Sequence, residues 1–557
     1  MIEFIFEIPL NRRITGLTGL FNKKPETSIH YENIFYEFIA WGDPIEDDGF
    51  RQRLERNNSL EFIVNNLYGH YYFIYLIKNT EELFVGSSLF SILPLYYHYN
   101  KGKITISENA LILGNYIHSD IICKRFILET VLFNYPLFNN SILQDIHLLN
   151  SNSYISVSQG KLSIRKHTSI EDLFQDNPDP WRKSLGKMTE KFLETVEKYL
   201  PSKHYATSLT GGFDGRTLVS AGLYHKKDFA TYSFGTETSK DLTIAKALSA
   251  KADLPFLKIE LGEDYAVQKS LECGREFIMN ASGTATFARA HYLHAAKQLA
   301  GETDIIITGN FGSEIFRAAH IAGVMISANL YSIFNLGSPG EAFKAIETSS
   351  EYRFLNKETF KTEWESLKSD ILQLSCYNPH YSGLTQNQRF YVFVFEELFR
   401  KYFGAELINQ FKYLKNRTPF LDIDFLKAIF RTELAGIHSG FFEHNPLKRY
   451  KGQVLYARII RKAFPALGTI ITDKGYKPDD LISFSGKLNI AEGYFKKITN
   501  RGYSSSDPNG VQEAWEMNRP YWDSIPVSSE YFNVTELSHF DKEILFKILS
   551  LSYIKNL

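Results

Sequence analysis

The chain has 557 residues, of which 44% are hydrophobic and 22% are charged, and its formal net charge is -1. This length exceeds what one hydrophobic core accommodates, so it predicts more than one domain. The balanced charge argues against a general attraction to nucleic acid or to an anionic membrane. No segment approaches the ~18 consecutive apolar residues of a membrane span, so we expect a cytoplasmic chain that binds neither.

The N-terminal part, residues 1–165, contains short aromatic and β-branched runs between turn residues, which predicts a β-rich unit. Such runs occupy residues 62–64 and 71–77, and residues 103–107 and 153–157 alternate polar and apolar side chains. Helix is expected near residues 120–133. The polar stretch at residues 175–180 is the predicted linker.

Residues 181–200 repeat apolar side chains at three- and four-residue spacing, which predicts an amphipathic helix packed on a sheet. Predicted strands at 207–209, 229–233, 256–259 and 304–308 then alternate with predicted helices at 216–224 and 242–251. This alternation indicates a parallel sheet that binds ligands at the carboxyl ends of its strands. Residues 340–557 are expected to be chiefly helical.

Segment 209–216, Leu-Thr-Gly-Gly-Phe-Asp-Gly-Arg, joins a predicted strand to a predicted helix. Its paired glycines let backbone N–H groups face an anion at close range, and the helix N-terminus adds partial positive charge. Thr210 offers a hydroxyl donor, Asp214 a carboxylate for Mg²⁺, and Arg216 a guanidinium fork for phosphate. Taken alone, the segment fits a purely structural strand–turn–helix junction equally well.

The segment resembles the Ser-Gly-Gly-Xaa-Asp-Ser loop of the PP-loop ATP pyrophosphatases, specifically that of the asparagine synthetase family. In that family the loop holds the pyrophosphate leaving group while a substrate carboxylate is adenylated. Five later segments follow the family's order. Residues 231–235 resemble the strand end that contacts adenosine, and 241–245 resemble the helix start after it. Residues 308–316 resemble its Gly-Glu-Gly-Xaa-Asp-Glu-Leu-Phe loop, 417–422 its Arg-Xaa-Pro-Phe-Leu-Asp segment, and 472–478 its late lysine loop.

The N-terminal half shares the resemblance. Residues 67–73 resemble the family's Leu-Xaa-Gly-Xaa-Phe-Ala-Phe strand, and residues 88–97 stand where it has a segment ending in Pro-Leu-Tyr-Tyr. The resemblance implies an α/β protein with two domains. An Ntn-hydrolase-like αββα domain of the glutaminase type occupies residues 1–170. An adenine-nucleotide α-hydrolase (PP-loop) domain with a parallel sheet and a helical C-terminal part occupies residues 181–557.

The chain departs from the family at several positions. Glutaminase chemistry there uses a cysteine at position 2, where this chain has Ile2, and Ser87-Ser88 replace an Arg-Asp pair. We therefore expect no glutamine hydrolysis, and a scaffold or docking role for the first domain. In the second half, Gly215 replaces the loop's last serine, Ser313 replaces an aspartate that commonly helps to bind Mg²⁺, and Asn310 replaces a glutamate.

The resemblance predicts an ATP-dependent carbon–nitrogen ligase, related to asparagine synthase, that adenylates a carboxylate and joins it to an amine or ammonia. ATP and Mg²⁺ are the expected cofactors, and the substrate is a small-molecule or peptide carboxylate. β-Lactam synthetases and lasso-peptide macrolactam synthetases are alternatives within this class. A non-catalytic nucleotide-binding scaffold or sensor is the alternative outside it, and a peptide-maturation partner protein or a homodimer is an open alternative for assembly.

The expected catalytic residues are Lys474 and Glu314, and the expected metal ligand is Asp214. Lys474 is expected to stabilise charge as the amine attacks the acyl-adenylate, with Lys477 as its rival and an ordinary solvated lysine as the alternative. Glu314 fits a helix N-terminal carboxylate as well, and Asp214 fits a helix cap. The expected nucleotide-binding residues are Leu209, Thr210, Gly211, Gly212, Asp214, Gly215, Arg216, Ser233, Phe234, Gly235 and Gly309.

Overall fold

The computed structural model describes residues 2–57, 59–100, 102–317, 319, 325–486, 489–490, 507–534 and 541–556. Within these ranges it is a mixed α/β structure with two antiparallel sheets, one parallel sheet and a helical C-terminal part. None of the helices in these ranges combines the length and apolar character needed to cross a membrane.

The N-terminal strands form the two antiparallel sheets. They are β1 Ile5–Pro9, β2 Phe21–Lys23, β3 Thr27–Glu32, β4 Tyr36–Ile45, β5 Tyr68–Ile77, β6 Glu82–Ser87, β7 Tyr96–Asn100, β8 Lys103–Ser107, β9 His147–Leu148, β10 Ser153–Ser158 and β11 Lys161–Lys166. One sheet has the order β2-β1-β8-β7-β9 and the other β11-β10-β6-β5-β4-β3. The helices of this part are α1 Phe50–Arg56, α2 Leu60–Asn66, α3 Ala110–Ile117 and α4 Lys124–Phe133.

The two sheets face each other across an aromatic core. The Phe4 ring meets the rings of Trp41 and Tyr72 edge-on at 5.0 Å. Alternate residues of β5 point the other way, where Phe73 shares a cluster with α1 and α2. Helix α3 packs against β7 and β8 of the first sheet, so the layers run helix, sheet, sheet, helix. Strand β5 is apolar on both faces because both faces are buried.

One N-terminal prediction is wrong. Residues 62–64 lie in helix α2, which Ser59 caps by accepting a hydrogen bond from the N–H of Phe62 at 3.2 Å. A short apolar run cannot by itself distinguish a strand from a helix turn, and here the preceding serine favours the helix. The predicted helix near residues 120–133 is confirmed as α4.

The parallel sheet follows helix α5 Trp181–Tyr199. Its strands are β12 Tyr205–Ser208, β13 Phe229–Gly235, β14 Phe256–Glu260, β15 Ile305–Ile307 and β16 Lys415–Arg417, in the order β14-β13-β12-β15-β16. The helices between them are α6 Asp214–Tyr224, α7 Lys240–Lys251, α8 Ser270–Asn280, α9 His291–Leu299 and α10 Gly312–Phe316. The predicted alternation of strand and helix is confirmed, and so is the parallel pairing.

The remaining described residues are mainly helical, as expected. These helices are α11 Ala328–Asn335, α12 Pro339–Glu347, α13 Ser350–Phe354, α14 Lys361–Ile371, α15 Gln386–Phe393, α16 Gly404–Phe411, α17 Ile423–Ile429, α18 Pro446–Ala463, α19 Val511–Asp523 and α20 Lys542–Lys555. A π-helical stretch, Val394–Phe403, joins α15 to α16. Helix α18 packs against α5 and α6, which brings it close to the loop after β12.

The predicted linker, residues 175–180, has no helix or strand of its own but is tied to the C-terminal part. Asp179 exchanges backbone hydrogen bonds with Arg431 and Glu433 at 2.8 and 3.0 Å. Across the same boundary, Arg417 binds both carboxylate oxygens of Asp43, at 2.7 and 3.1 Å. The antiparallel and parallel parts are therefore joined by a bidentate ion pair with a buried carboxylate.

Candidate functional site

The order of the parallel strands locates the site. Counted along the chain, the order is third, second, first, fourth, fifth, so the first strand, β12, lies beside the fourth, β15. Connections leave these two strands in opposite directions, and the crevice between them is where doubly wound sheets bind ligands. The loops at residues 209–213 and 308–311 follow these strands and face each other there.

The first of these loops, residues 209–213, is held in shape by its own hydrogen bonds. Asp241 accepts from the N–H of Gly211 at 2.9 Å, and the hydroxyl of Thr210 accepts from the N–H of Gly212 at 3.3 Å. Helix α6 begins directly afterwards, and its first turn leaves N–H groups without intrahelical partners. The loop and helix start together present a site suited to an anion.

A cavity of about 280 Å³ opens between the two loops. It brings together six of the predicted residues: Thr210, Asp214, Gly215, Phe234, Gly309 and Glu314. The other lining residues are Ser208, Tyr232, Tyr292, Thr308, Asn310, Phe311, Ser313, Phe403, Glu406 and Gln410. Aromatic walls with a few converging polar groups are typical of small-molecule sites.

Several predicted residues do not line this cavity. Leu209 is fully buried and supports the loop by donating its N–H to the carbonyl of Tyr232 at 2.8 Å. Ser233 is also buried, at 3% exposure, and Gly235 ends strand β13 behind Phe234. Of the 233–235 segment, only the ring of Phe234 reaches the cavity.

Two glycines allow the second loop to close over Asp214. A Cβ at Gly309 would lie 2.6 Å from the Cβ of Asp214, and a Cβ at Gly312 would lie 2.5 Å from its Oδ1. Side chains at these positions would separate the two loops. The approach of the loops around Asp214 therefore depends on glycine at both positions.

Asp214 is held by protein donors on both of its oxygens. Tyr456, on α18, donates to Oδ1, and Ser313 donates to Oδ2 at 2.9 Å. Within the described ranges the one His/Cys/Asp/Glu cluster with metal-binding geometry lies elsewhere, on strands β3 and β4. Both carboxylate oxygens of Asp214 are therefore engaged by hydroxyl donors of the protein, and a Mg²⁺ ion bound there would have to displace them.

Glu314 lies one residue beyond Ser313, at the start of α10. Burial, and then the nearby charge of Asp214, raises the pKa of its carboxyl to about 7. A carboxyl group with a pKa near neutrality can accept and return a proton at physiological pH. This placement supports a proton-transfer role better than that of a solvated helix-terminal carboxylate.

On the opposite wall, Asn310 donates to Glu406 at 3.2 Å, and Arg289 binds the other oxygen of Glu406 at 3.1 Å. Glu406 is 3% exposed, and burial raises the pKa of its carboxyl. A glutamate at position 310 would lie against this buried carboxylate. Asparagine at position 310, where the family has glutamate, therefore avoids placing a second carboxylate beside Glu406 on α16.

Arg216 does not have the expected role. Its side chain is fully buried, and its guanidinium donates to the carbonyls of Leu467, Ile470, Ile471 and Gly211, the closest at 2.6 Å. The predicted phosphate fork is wrong because three of the four acceptors that orient this side chain, the carbonyls of Leu467, Ile470 and Ile471, come from a segment far later in the chain. Arg216 instead fastens the segment before residues 472–476 to the glycine loop.

The structure places Lys474 next to the glycine loop, whereas Lys477 is exposed to solvent. The Lys474 ammonium lies 5.6 Å from the ring centroid of Phe213, and Asp473 donates its N–H to the carbonyl of Gly211 at 3.2 Å. Burial, and then the charge of Arg317, lowers the pKa of Lys474 to about 8. Lys477 is exposed and precedes a short 3₁₀ turn, so the geometry favours Lys474.

Sequence reasoning missed Tyr456, Glu406, Tyr292 and Arg317. None lies in a segment that matched the family, and each reaches the site from a helix or from the residue directly after one. Helical periodicity shows that such residues are on a buried face. It does not show which loop that face meets.

No family model matches this chain, and no curated protein matches it. Solved structures align with parts of it, among them these two. One, described as the allosteric regulatory enzyme of purine biosynthesis, is 12% identical over 39% of this chain and 49% of its own, with a TM-score of 0.17. The other, glutamine phosphoribosylpyrophosphate amidotransferase from B. subtilis complexed with ADP and GMP, is 11% identical over 53% and 59%, with a TM-score of 0.16. The chain spans less than two thirds of either structure, and alignments with such scores carry no argument about function.

A serine at position 215, which the family pattern has, is expected to destabilise this protein. A Cβ there would lie 2.3 Å from the carbonyl oxygen of Ser208, a backbone atom with no room to move. Gly215→Ser should lower the free energy of unfolding by about 1–3 kcal/mol, measured by chemical denaturation. Gly212→Ala is the matched control, because its Cβ would meet nothing closer than 3.5 Å. Equal stability of Gly215→Ser and wild type would contradict this packing.

Proposed function

We propose that this chain is an ATP-dependent carbon–nitrogen ligase. The proposal is supported by two contacts of the glycine loop at the switch point of the parallel sheet: Glu314 lines the same cavity as the loop, and Lys474 lies over the ring of Phe213 within it. The substrate is a small-molecule or peptide carboxylate, and the nitrogen comes from an amine or from ammonia. We further propose that residues 1–170 act as a scaffold without glutaminase activity beside a ligase domain over 181–557, in the cytoplasm.

In the proposed reaction, a carboxylate oxygen of the substrate attacks the α-phosphorus of ATP. The bond to the β-phosphate breaks, and pyrophosphate leaves into the loop at residues 210–214, where N–H groups and the N-terminus of α6 stabilise its charge. The nitrogen then attacks the acyl carbon of the adenylate and AMP leaves. Glu314 takes the proton that the nitrogen loses, and Lys474 stabilises the oxyanion.

The test is a screen for pyrophosphate and AMP release from ATP over free amino acids and over peptides. We expect equal amounts of both products with one class of carboxylate, and a large loss with Asp214→Ala, since Asp214 fixes both loops. Lys477→Ala, which changes an exposed lysine, is the control. If no carboxylate gives pyrophosphate and Asp214→Ala binds ATP as well as wild type, the ligase proposal is wrong.

A second candidate, a nucleotide-binding sensor without chemistry, is favoured by two departures in the second loop. The amide of Asn310 is occupied by Glu406, and the hydroxyl of Ser313 is occupied by Asp214 and Arg317. In the sensor hypothesis both side chains only hold the second loop in place, and neither takes part in a reaction. Binding of ATP at the loop without AMP formation, for every carboxylate and amine tested, would favour the sensor.

The ligase proposal predicts a bell-shaped dependence of kcat on pH. Below about pH 7 Glu314 is protonated and cannot accept a proton, and above about pH 8 Lys474 loses its charge. Activity should therefore rise through the first value and fall through the second. Lys474→Arg should move the alkaline limb upward, because a guanidinium stays protonated, and Glu314→Gln should abolish the acid limb. A profile of unchanged shape in both variants would rule out these roles.

A further inference from the structure

Beside the glycine loop lie three cationic side chains, Arg317, Arg449 and Lys474, here called the cation cluster. Lys474 lies over the ring of Phe213 in the loop. Arg317 follows helix α10 directly and donates to the hydroxyl of Ser313, which in turn donates to Asp214. Arg317 is therefore two hydrogen bonds from the first residue of α6.

Arg449 reaches the same place from helix α18. Its spacing from Gln453 and Tyr456 puts the three residues on one face of that helix. Tyr456 donates to Asp214, and Gln453 accepts a hydrogen bond at 3.0 Å from Tyr476 in the segment that contains Lys474. The face of α18 that includes Arg449 is thus turned toward the loop.

Within the described ranges the cluster has no direct carboxylate partner, and the pKa of Arg317 is raised because nearby groups, Asp214 foremost, outweigh the effect of burial. In the part of the chain that the structure describes, no carboxylate lies within ion-pair distance of any of the three groups, and the single side-chain hydrogen bond among them is from Arg317 to Ser313. Burial, and then the charge of Arg317, lowers the pKa of Arg449 to about 10. The Nε atoms of Arg317 and Arg449 are buried without a hydrogen-bond partner among the described residues.

Three partly buried cations in mutual repulsion favour a polyanionic ligand, because such a ligand removes the repulsion and accepts their hydrogen bonds. Serine at position 313, where the family has aspartate, explains why Arg317 has no direct carboxylate partner among the residues described. An aspartate there would pair with Arg317 directly, whereas Ser313 accepts one hydrogen bond and leaves the guanidinium without a direct ion-pair partner. The cluster lies beside the glycine loop, whose N–H groups and helix N-terminus suit phosphate.

We propose that the cation cluster binds the pyrophosphate portion of the nucleotide in place of a protein-bound Mg²⁺. Arg317 and Arg449 thereby join the site as phosphate-binding residues. This proposal rests on the proposed function for the identity of the ligand. In this proposal, side chains of α18 and of the segment after α10 neutralise the charge of the phosphates. The proposal is motivated by Asp214, whose two oxygens are engaged by hydroxyl donors.

The test is calorimetric titration of the full chain with inorganic pyrophosphate, once in excess EDTA and once in excess Mg²⁺. We expect binding in EDTA within about tenfold of that in Mg²⁺, and a loss of about tenfold or more in affinity in EDTA for Arg317→Gln and for Arg449→Gln. Arg458→Gln is the matched control, because Arg458 is an exposed arginine of the same helix. If either glutamine variant fails to fold, the corresponding lysine variant is measured, and a smaller loss in affinity is expected.

The outcomes separate this proposal from the proposed function. Pyrophosphate binding only with Mg²⁺, or wild-type affinity in both arginine variants, would overturn the role of the cluster even if the chain forms AMP from ATP. Arginine-dependent binding in EDTA would support the cluster even if no carboxylate is ever adenylated.

Discussion

Replacing Lys474 by alanine is expected to lower kcat for pyrophosphate release by about 10²–10³-fold. The reason is position, since the ammonium lies beside Phe213 in the glycine loop and is partly withdrawn from solvent. A cation in such a place stabilises developing negative charge more strongly than one in water. The measurement is steady-state release of pyrophosphate with the carboxylate identified by the screen.

Lys477→Ala is the control for this experiment, because Lys477 is exposed three residues later in the same segment. We expect its kcat to stay near that of wild type, and we expect Lys474→Arg to retain more activity than Lys474→Ala. Equal losses in the two alanine variants would show that the segment matters as a structure and that Lys474 has no separate role.

Replacing Arg216 by methionine is expected to lower the free energy of unfolding by about 3–5 kcal/mol. Methionine keeps an apolar stem of similar length but leaves the carbonyls of Leu467, Ile470 and Ile471 without their donor. Because these carbonyls precede the segment of Lys474, activity should fall as well. Chemical denaturation measures the first effect and pyrophosphate release the second.

Arg458→Met is the matched control, since Arg458 is exposed on α18 and such surface changes usually stay within ±0.5 kcal/mol. The phosphate-fork alternative makes a different prediction for Arg216→Met, namely weaker ATP binding with unchanged stability. That result would show that the buried position of Arg216 is not maintained in solution.

The parts of the site that sequence could predict are those whose chemistry is local. The glycine loop was recognisable because a strand, two glycines and a helix start lie within a few residues, and the structure places it at the strand switch point. Thr210, Asp214 and Gly309 line the cavity for the same reason. Their positions follow from the ends of β12 and β15.

The rest could not be predicted because it depends on contacts between distant segments. Arg216 has the residue type and spacing of a phosphate ligand, yet carbonyls at residues 467–471 fix its direction. Tyr456 and Arg449 belong to an amphipathic helix whose sequence shows a buried face but not its neighbour. The helix at residues 60–66 was missed because its apolar run is as short as a strand.

The central claim is that the loop after β12 binds the phosphates of ATP, and a structure of the chain with the non-hydrolysable α,β-methylene analogue of ATP tests it most directly. We expect the phosphates to contact backbone N–H groups of residues 210–214 with Lys474 and Arg317 around them, and the base to lie against Phe234. A nucleotide bound elsewhere, or bound with its phosphates away from this loop, would contradict the claim.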